Sequence, residues 1–222
     1  MNYQYILFDL DGTLTESGPG ITRSVSQALK RMGCEELSEE ILTKFIGPPL
    51  VESMMRYGKL TRAEADQAIV YYREYYASKG MFENEVYPGV EKMLQDLKEN
   101  GKKLAVSTSK PEVYARKIIE HFRLTGYFDV ICGATFDESR VDKADIIADT
   151  MEKFGLHDGE KSRVLMVGDR EHDVVGAKKN GVAAAGVLYG YGSRQELCEA
   201  GADYLIASAP ELAKKILEEK FD

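Results

Sequence analysis

The chain has 222 residues, with 29 basic and 37 acidic side chains, a formal net charge of −8 and 44% hydrophobic residues. That length fits one α/β domain carrying a sizeable insertion, and the apolar content is enough for a full core. The negative balance opposes general binding to a nucleic-acid polymer or to an anionic membrane surface, so attraction for an anionic substrate has to come from a local basic cluster.

The opening Met1-Asn-Tyr-Gln lacks both a basic n-region and a long apolar h-region, so no secretory signal is expected. Tyr5-Ile-Leu-Phe8 is a short apolar run that reads as a buried strand, and it ends in Asp9-Leu10-Asp11-Gly12-Thr13. Ligands of a parallel α/β sheet bind just beyond the carboxyl ends of its strands. Two acids at alternating positions do not belong in an apolar core, because an unpaired buried charge costs several kcal/mol unless metal or hydrogen bonds satisfy it. A metal-assisted site is therefore expected at this strand end.

From Glu16 to Glu85 the pattern predicts consecutive helices and no strand. Ile21, Val25, Ala28, Leu29 and Met32 recur at helical spacing, with Gly33 as a stop. Gly47-Pro48-Pro49-Leu50 cannot continue a helix. Thr61-Arg-Ala-Glu64 is a capping-box signature for a long helix carrying Ala65, Ala68, Ile69, Tyr72 and Tyr76.

From Val86 onward strands and helices alternate. Pro88-Gly89 opens a helix that runs to about Asn100 and stops at Gly101. Predicted strands are 103–106, 128–132, 163–167, 183–187 and 203–206. Pro111 is expected in the first turn of the helix after 103–106, Asp142 as an N-cap, and Ser193…Glu196 and Ser208…Glu211 as capping boxes. The alternation implies parallel strands with right-handed crossovers. The expected fold is a doubly wound, Rossmann-like parallel sheet over residues 1–15 and 86–222, interrupted after its first strand by a helical domain over residues 16–85. No apolar run approaches the ~20 residues that span a bilayer. Cys34, Cys132 and Cys198 are odd in number and form no CxxC pair, as expected of reduced thiols in a cytoplasmic protein.

The predicted strand ends collect the chemistry. Asp9 and Asp11 follow the first, Ser107-Thr108-Ser109-Lys110 the second, and Gly168-Asp169-Arg170-Glu171-His172-Asp173 a later one, while Asp142-Lys143 precedes a helix. Carboxylates for a hard cation, hydroxyl donors and ammonium groups are what phosphoryl transfer needs. Mg²⁺ binds through one or two carboxylates plus phosphate and water, a carboxylate can accept the phosphoryl group, and a second acid can move the proton.

In order and spacing, Asp9-x-Asp11-Gly12-Thr13, Ser107-Thr108, Lys143 and Gly168-Asp169-x-x-x-Asp173 resemble the four signature motifs of the haloacid dehalogenase superfamily. The resemblance implies Asp9 as nucleophile and Asp11 as general acid/base. It implies Thr108, with Gly12 and Ser109, as phosphoryl-binding and Lys143 as the group that neutralises developing charge. Mg²⁺ would be held by Asp9, Asp169 and the backbone carbonyl of Asp11, with Asp173 as a further support. True dehalogenases lack the second acid, so Asp11 implies phosphoester chemistry, and the helical insertion resembles the superfamily's small cap. Within the superfamily, Phe8–Leu14, Ile46–Leu50, Val106–Pro111 and Gly168–Asp173 are most similar to the phosphoglycolate-phosphatase-like group, which includes bacterial 5′-nucleotidase-like members. Ser109 stands where asparagine is frequent, and Ala144 stands where phosphoglycolate phosphatases often carry proline. The expected activity is hydrolysis of a small phosphorylated metabolite. The alternatives are a 5′-nucleotidase, a phosphosugar mutase of the same superfamily, and a non-enzymatic phospho-acceptor similar to response-regulator receivers.

Several residues carry plainer expectations. An EF-hand does not fit, since Gly12 is the loop's fourth position rather than its sixth. Lys110 is expected as a helper or surface charge, His172 as part of a solvent-accessible loop, and Asp173 as either an N-cap or a metal support. Thr108 and Ser109 can cap the following helix as well as bind phosphate. Tyr71, Tyr72, Tyr75 and Tyr76 are expected to pack rather than stack on a nucleobase. Gly190-Tyr191-Gly192 lacks the third glycine of a dinucleotide fingerprint and is assigned no role.

Overall fold

The computed structural model describes residues 2–136 and 140–221. The chain starts with β1 (Tyr5–Phe8) and the short β2 (Thr15–Glu16), then runs through α1 (Gly18–Arg31), α2 (Glu39–Thr43), α3 (Leu50–Tyr57) and α4 (Arg62–Ser78) to the short β3 (Glu85–Val86). There follow α5 (Val90–Glu99), β4 (Lys103–Pro111), α6 (Glu112–His121), β5 (Val130–Ala134) and α7 (Lys143–Lys153). The last elements are β6 (Val164–Gly168), α8 (Glu171–Asn180), β7 (Ala183–Val187), α9 (Arg194–Glu199), β8 (Tyr204–Ile206) and α10 (Ala209–Glu218). These elements form two compact units, Met1–Thr15 with Val86–Asp222, and Glu16–Glu85.

The larger unit is a parallel six-stranded sheet in the order β5-β4-β1-β6-β7-β8. Its strands are apolar on both faces, as a sheet covered on both sides requires. Leu7, Ala105, Met166 and Ala184 pack with Ile147, Met151, Val174 and Ala177 of α7 and α8. The alternate residues Ile6, Phe8, Leu104 and Val106 point the other way and are equally buried. Strand order reverses at β1, where the chain builds outward first through β4 and β5, then through β6, β7 and β8. That reversal is the crevice in which such folds place ligands. Register sharpens the point: Phe8 is level with both Val106 and Val167. Asp9, Ser107 and Gly168, the residues that follow, therefore share one edge.

Several predicted boundaries move. β4 runs on to Pro111 instead of stopping at Val106, with its register shifted between Thr108 and Pro111 against β5. Gly133 permits this, since a Cβ there would lie 2.6 Å from Lys110 O. Pro111 consequently ends the strand and caps α6, one position before the first helical turn. The strand predicted at 128–132 lies at Val130–Ala134. Asp129, predicted inside it, instead turns its side chain to accept the Leu104 N–H at 2.9 Å. Ser208 caps α10, but Glu211 bonds the N–H of Ala207 rather than closing a box on Ser208.

In the smaller unit, α1 and α4 pack through Ile21, Val25, Ala28 and Leu29 against Ala65, Ala68, Ile69, Tyr72 and Tyr76. The capping box at Thr61 and Glu64 is formed as the sequence predicts. Gly20 is required by close approach, since a Cβ there would fall 1.9 Å from Gly80 O. Tyr72 and Tyr76 stack on each other inside this core, and Tyr71 supports the Arg31 guanidinium. Tyr72 and Tyr76 are thus packing groups, whereas the half-buried Tyr75 donates its hydroxyl to Glu83 Oε1 at 2.9 Å. The only strand content in this unit is at its two ends, Glu16 and Glu85, where β2 and β3 pair.

Candidate active site

The β1 strand end folds into a tight loop. Asp9 N–H donates to Val167 O at 2.9 Å, while the N–H groups of Leu14 and Thr15 both return to Leu10 O. Gly12 sits at φ +81°, a left-handed conformation that favours glycine, and a Cβ there would lie 2.2 Å from Asp169 Oδ2. The glycine thus serves both the turn and the close approach of an acid from β6. Thr13 is fully buried, and its hydroxyl donates to Asp169 Oδ1 at 3.2 Å.

Asp9, Asp169 and Asp173 are buried, and each offers a carboxylate oxygen within 4.8 Å of the others. Lys143, the first residue of α7, reaches into this group. Its Nζ donates to Asp9 Oδ1 at 2.7 Å and Ser107 O at 3.0 Å, and pairs with Asp173 Oδ1 at 2.7 Å. Burial alone would lower the lysine's pKa, but the Asp173 and Asp9 carboxylates outweigh it and hold the ammonium charged. At Asp169 burial comes first, the charges of Asp173 and Asp9 add to it, and the carboxyl is pushed well above its ordinary range despite the Tyr191 N–H bond.

Asp173 is not an N-cap. It is the third residue of α8, and its Oδ2 accepts the N–H of Arg170, the capping residue, at 3.1 Å. Its Oδ1 faces Lys143, and a Cβ on Gly168 would lie 2.1 Å from its Cγ. His172 is exposed on α8 rather than in a loop. Lys110 is not a surface charge, because the bulged end of β4 carries it inward, where its Nζ pairs with Asp11 Oδ2 at 2.8 Å. Thr108 is buried on the same strand end, with its hydroxyl accepting the Lys110 N–H at 3.3 Å. Ser109 is half-buried beside it.

Gly190-Tyr191-Gly192 does have a place here: it lies against Asp169, with Tyr191 N–H donating to Asp169 Oδ2 at 2.8 Å. The sequence signal was two glycines just past a predicted strand. Its neighbour is visible only once β7 is known to lie beside β6.

Three buried carboxylates around one lysine leave an excess of negative charge where water cannot disperse it. Asp11 Oδ1, alongside, is a buried acceptor with no hydrogen bond. An all-oxygen set of this kind suits a hard divalent cation such as Mg²⁺. Among the described residues, no helix is long and apolar enough to cross a membrane.

Residues 6–187 match the family model for haloacid dehalogenase-like hydrolases. The chain is similar to a 5′-nucleotidase of Pseudomonas aeruginosa, at 44% identity over 197 residues, 89% of this chain and 88% of that one. It is similar to tyrosine-protein kinase PtkA of Mycobacterium tuberculosis, at 40% over 189 residues, 85% of this chain but only 63% of that one. It is also similar to a phosphoglycolate phosphatase of Aquifex aeolicus, at 33% over 190 residues, covering 84% and 85% of the two chains. Among solved structures, a predicted phosphatase from Clostridium acetobutylicum superposes with a TM-score of 0.92 at 47% identity, covering 98% of this chain and all of that one. With its acids, lysine and parallel sheet in this arrangement, the chain belongs to the haloacid dehalogenase-like hydrolases and is a phosphatase of that family.

Proposed function

We propose that the protein hydrolyses a small phosphomonoester in two Mg²⁺-dependent steps through an aspartyl-phosphate on Asp9. The observation that carries this is the Asp9 carboxylate at the end of the central strand, hydrogen-bonded by Lys143 and flanked by Asp169. In the first step an Asp9 oxygen attacks phosphorus, the bond from phosphorus to the alcohol oxygen breaks, and Asp11 gives that oxygen its proton. In the second, a water oxygen attacks phosphorus, Asp11 takes the water's proton, and the bond to Asp9 breaks, restoring both carboxyl groups.

Mg²⁺, held by Asp9, Asp169 and the Asp11 carbonyl with Asp173 in support, would neutralise the phosphate and present its phosphorus to Asp9. Lys143 stabilises charge on the equatorial oxygens and keeps Asp9 oriented. Thr108, Ser109 and the Gly12 backbone are assigned to the phosphoryl oxygens. The helical unit Glu16–Glu85 is assigned the role of substrate-selecting cap. A reducing, cytoplasmic setting accords with the three free cysteines.

Nucleoside 5′-monophosphates are the first substrate class to test, because the 5′-nucleotidase relative shares more identity with the chain than the phosphoglycolate phosphatase does. A panel of nucleoside monophosphates, phosphoglycolate and hexose phosphates, assayed for released phosphate with Mg²⁺, ranks the classes. Asp9→Asn should abolish turnover on all of them without unfolding the protein. Activity retained in that variant would defeat the nucleophile assignment. The likeness to a tyrosine kinase favours a second reading, in which the phosphoryl group passes to a hydroxyl other than water. Phosphorylated tyrosine or sugar among the products, in place of free phosphate, would select it.

A further inference from the structure

Of the acids in the cluster, Asp169 is bonded differently from the rest. Asp9 and Asp173 share the Lys143 ammonium, and Asp11 pairs with Lys110. Asp169 accepts hydrogen bonds from neutral groups, the Thr13 hydroxyl at Oδ1 and the Tyr191 N–H at Oδ2. Neutral donors fix a carboxylate's orientation while leaving its charge to be matched by something else. A lysine or arginine in their place would compete with a cation for that charge.

The loop after β7, residues 189–192, supplies one of those donors and is shaped around the acid. A Cβ on Gly190 would lie 2.3 Å from both Asp169 Cβ and Gly12 O, and one on Gly192 would lie 1.9 Å from Asp169 O. Two glycines thus flank the donating N–H because backbone must pass Asp169 on both sides of it. Tyr189 ties the same loop to the nucleophile loop, its hydroxyl donating to Thr13 O at 3.1 Å. Its ring is edge-on to Tyr87, with centroids 5.0 Å apart. Burial, with the Asp169 and Tyr87 charges, raises the phenol's pKa, so it stays a neutral donor.

We propose that residues 189–192 are the positioning element of the cation site. Their backbone sets the Asp169 carboxylate for a divalent ion, and Tyr189 locks that setting to the loop that carries Asp9. This rests on the metal-site assignment made above. The contacts these residues make are with the acid and the nucleophile loop, which gives them a positioning role.

The test reads Mg²⁺ binding without substrate, as the Mg²⁺-dependent rise in the thermal unfolding midpoint and by titration calorimetry. Wild-type protein should respond, and Gly190→Ala and Gly192→Ala should raise the Mg²⁺ half-saturation about tenfold or more, the usual cost of disturbing a ligand's supporting contacts. Tyr189→Phe, which removes one hydroxyl and leaves the packing, should weaken Mg²⁺ binding severalfold, and excess Mg²⁺ should restore its kcat. Gly126→Ala, whose Cβ meets nothing within 4 Å, controls for the substitution itself and should leave binding unchanged. If the glycine variants fail to fold, Tyr189→Phe decides alone. Wild-type half-saturation in the folded variants would overturn the inference. A wild-type protein that binds no Mg²⁺ would overturn the metal site itself, and this inference with it.

Discussion

Lys110 Nζ lies 2.8 Å from Asp11 Oδ2, with the two side chains only 5% and 11% exposed. Two charges withdrawn this far from water roughly break even when paired, and breaking the pair is costly because the survivor is buried alone. In the proposed reaction Asp11 has to meet the leaving oxygen. Asp11 Oδ1, which has no hydrogen bond, is the oxygen that can do so while Lys110 holds Oδ2.

Lys110→Met should therefore destabilise the protein by about 3 kcal/mol. It should also lower kcat/KM for a phosphomonoester by at least about 10²-fold, the low end of what a positioned acid/base contributes. Adding Asp11→Asn should recover stability, since the buried charge is gone, but not activity. Denaturant unfolding and steady-state kinetics on the two single variants and the double variant form the cycle that tests this. Equal stabilities across the cycle would mean that the pair is solvent-screened.

Asp169 gives a pH dependence with an unusual sign. Its carboxyl is raised in the folded protein, first by burial and then by Asp173 and Asp9. As pH rises past the ordinary carboxylate range, about 3.9 for aspartate, the unfolded chain ionises first and gains stability. Asp169 thus costs the metal-free fold stability at neutral pH, and that cost disappears on acidification. Asp169→Asn resembles the protonated acid at every pH. In EDTA the variant should be more stable than wild type at pH 7–8, with the gap closing as pH falls. Saturating Mg²⁺ should reverse the order. Thermal unfolding of both proteins across pH, with and without Mg²⁺, reads each part.

The course of this fold is largely legible in the sequence, and the reason is local. The run Tyr5–Phe8 is short, rich in strand-formers and ended by a turn sequence, and Thr61 with Glu64 closes a helix start by itself, so neither needs distant partners to be recognised. Asp9, Asp169 and Lys143 could be grouped from sequence because each adjoins an element end. What escaped was set by sheet order and register. Lys110 reads as an ordinary lysine until the bulge between Thr108 and Pro111 turns it toward Asp11. Gly190 and Gly192 read as a broken nucleotide motif until β7 is placed next to β6. Asp173, read as one of two things, does two jobs at once by bonding a helix start and a lysine.

Lys143 holds Asp9 and Asp173 together, so Lys143→Met leaves two buried carboxylates without their shared counter-charge. The metal-free variant should lose about 3–5 kcal/mol of stability. Mg²⁺ should restore part of it by supplying positive charge to the same acids, so the variant's unfolding midpoint should respond to Mg²⁺ more steeply than wild type's. Turnover should stay lost, because the cation does not replace the ammonium that the proposed reaction uses at the phosphoryl oxygens. A variant as stable without metal as wild type would show that the lysine is not what keeps these acids together.

Gly12 and Gly33 separate backbone strain from collision. Both hold left-handed angles, φ +81° and +77°, so alanine at either position should cost about 1–2 kcal/mol through the backbone alone. A Cβ on Gly33 meets nothing within 4 Å, whereas one on Gly12 would lie 2.2–2.7 Å from the carboxylate atoms of Asp169. Gly33→Ala should therefore lose stability only, with Mg²⁺ half-saturation and kcat intact. Gly12→Ala should lose more stability, and its Mg²⁺ half-saturation should rise about tenfold or more because Asp169 has to swing away. Unfolding and Mg²⁺ titration of the two variants side by side isolate the collision as their difference. Matching Mg²⁺ affinities would mean that Asp169 can move at no cost to the cation site, so that the absence of a Cβ on Gly12 serves the turn and not the cation.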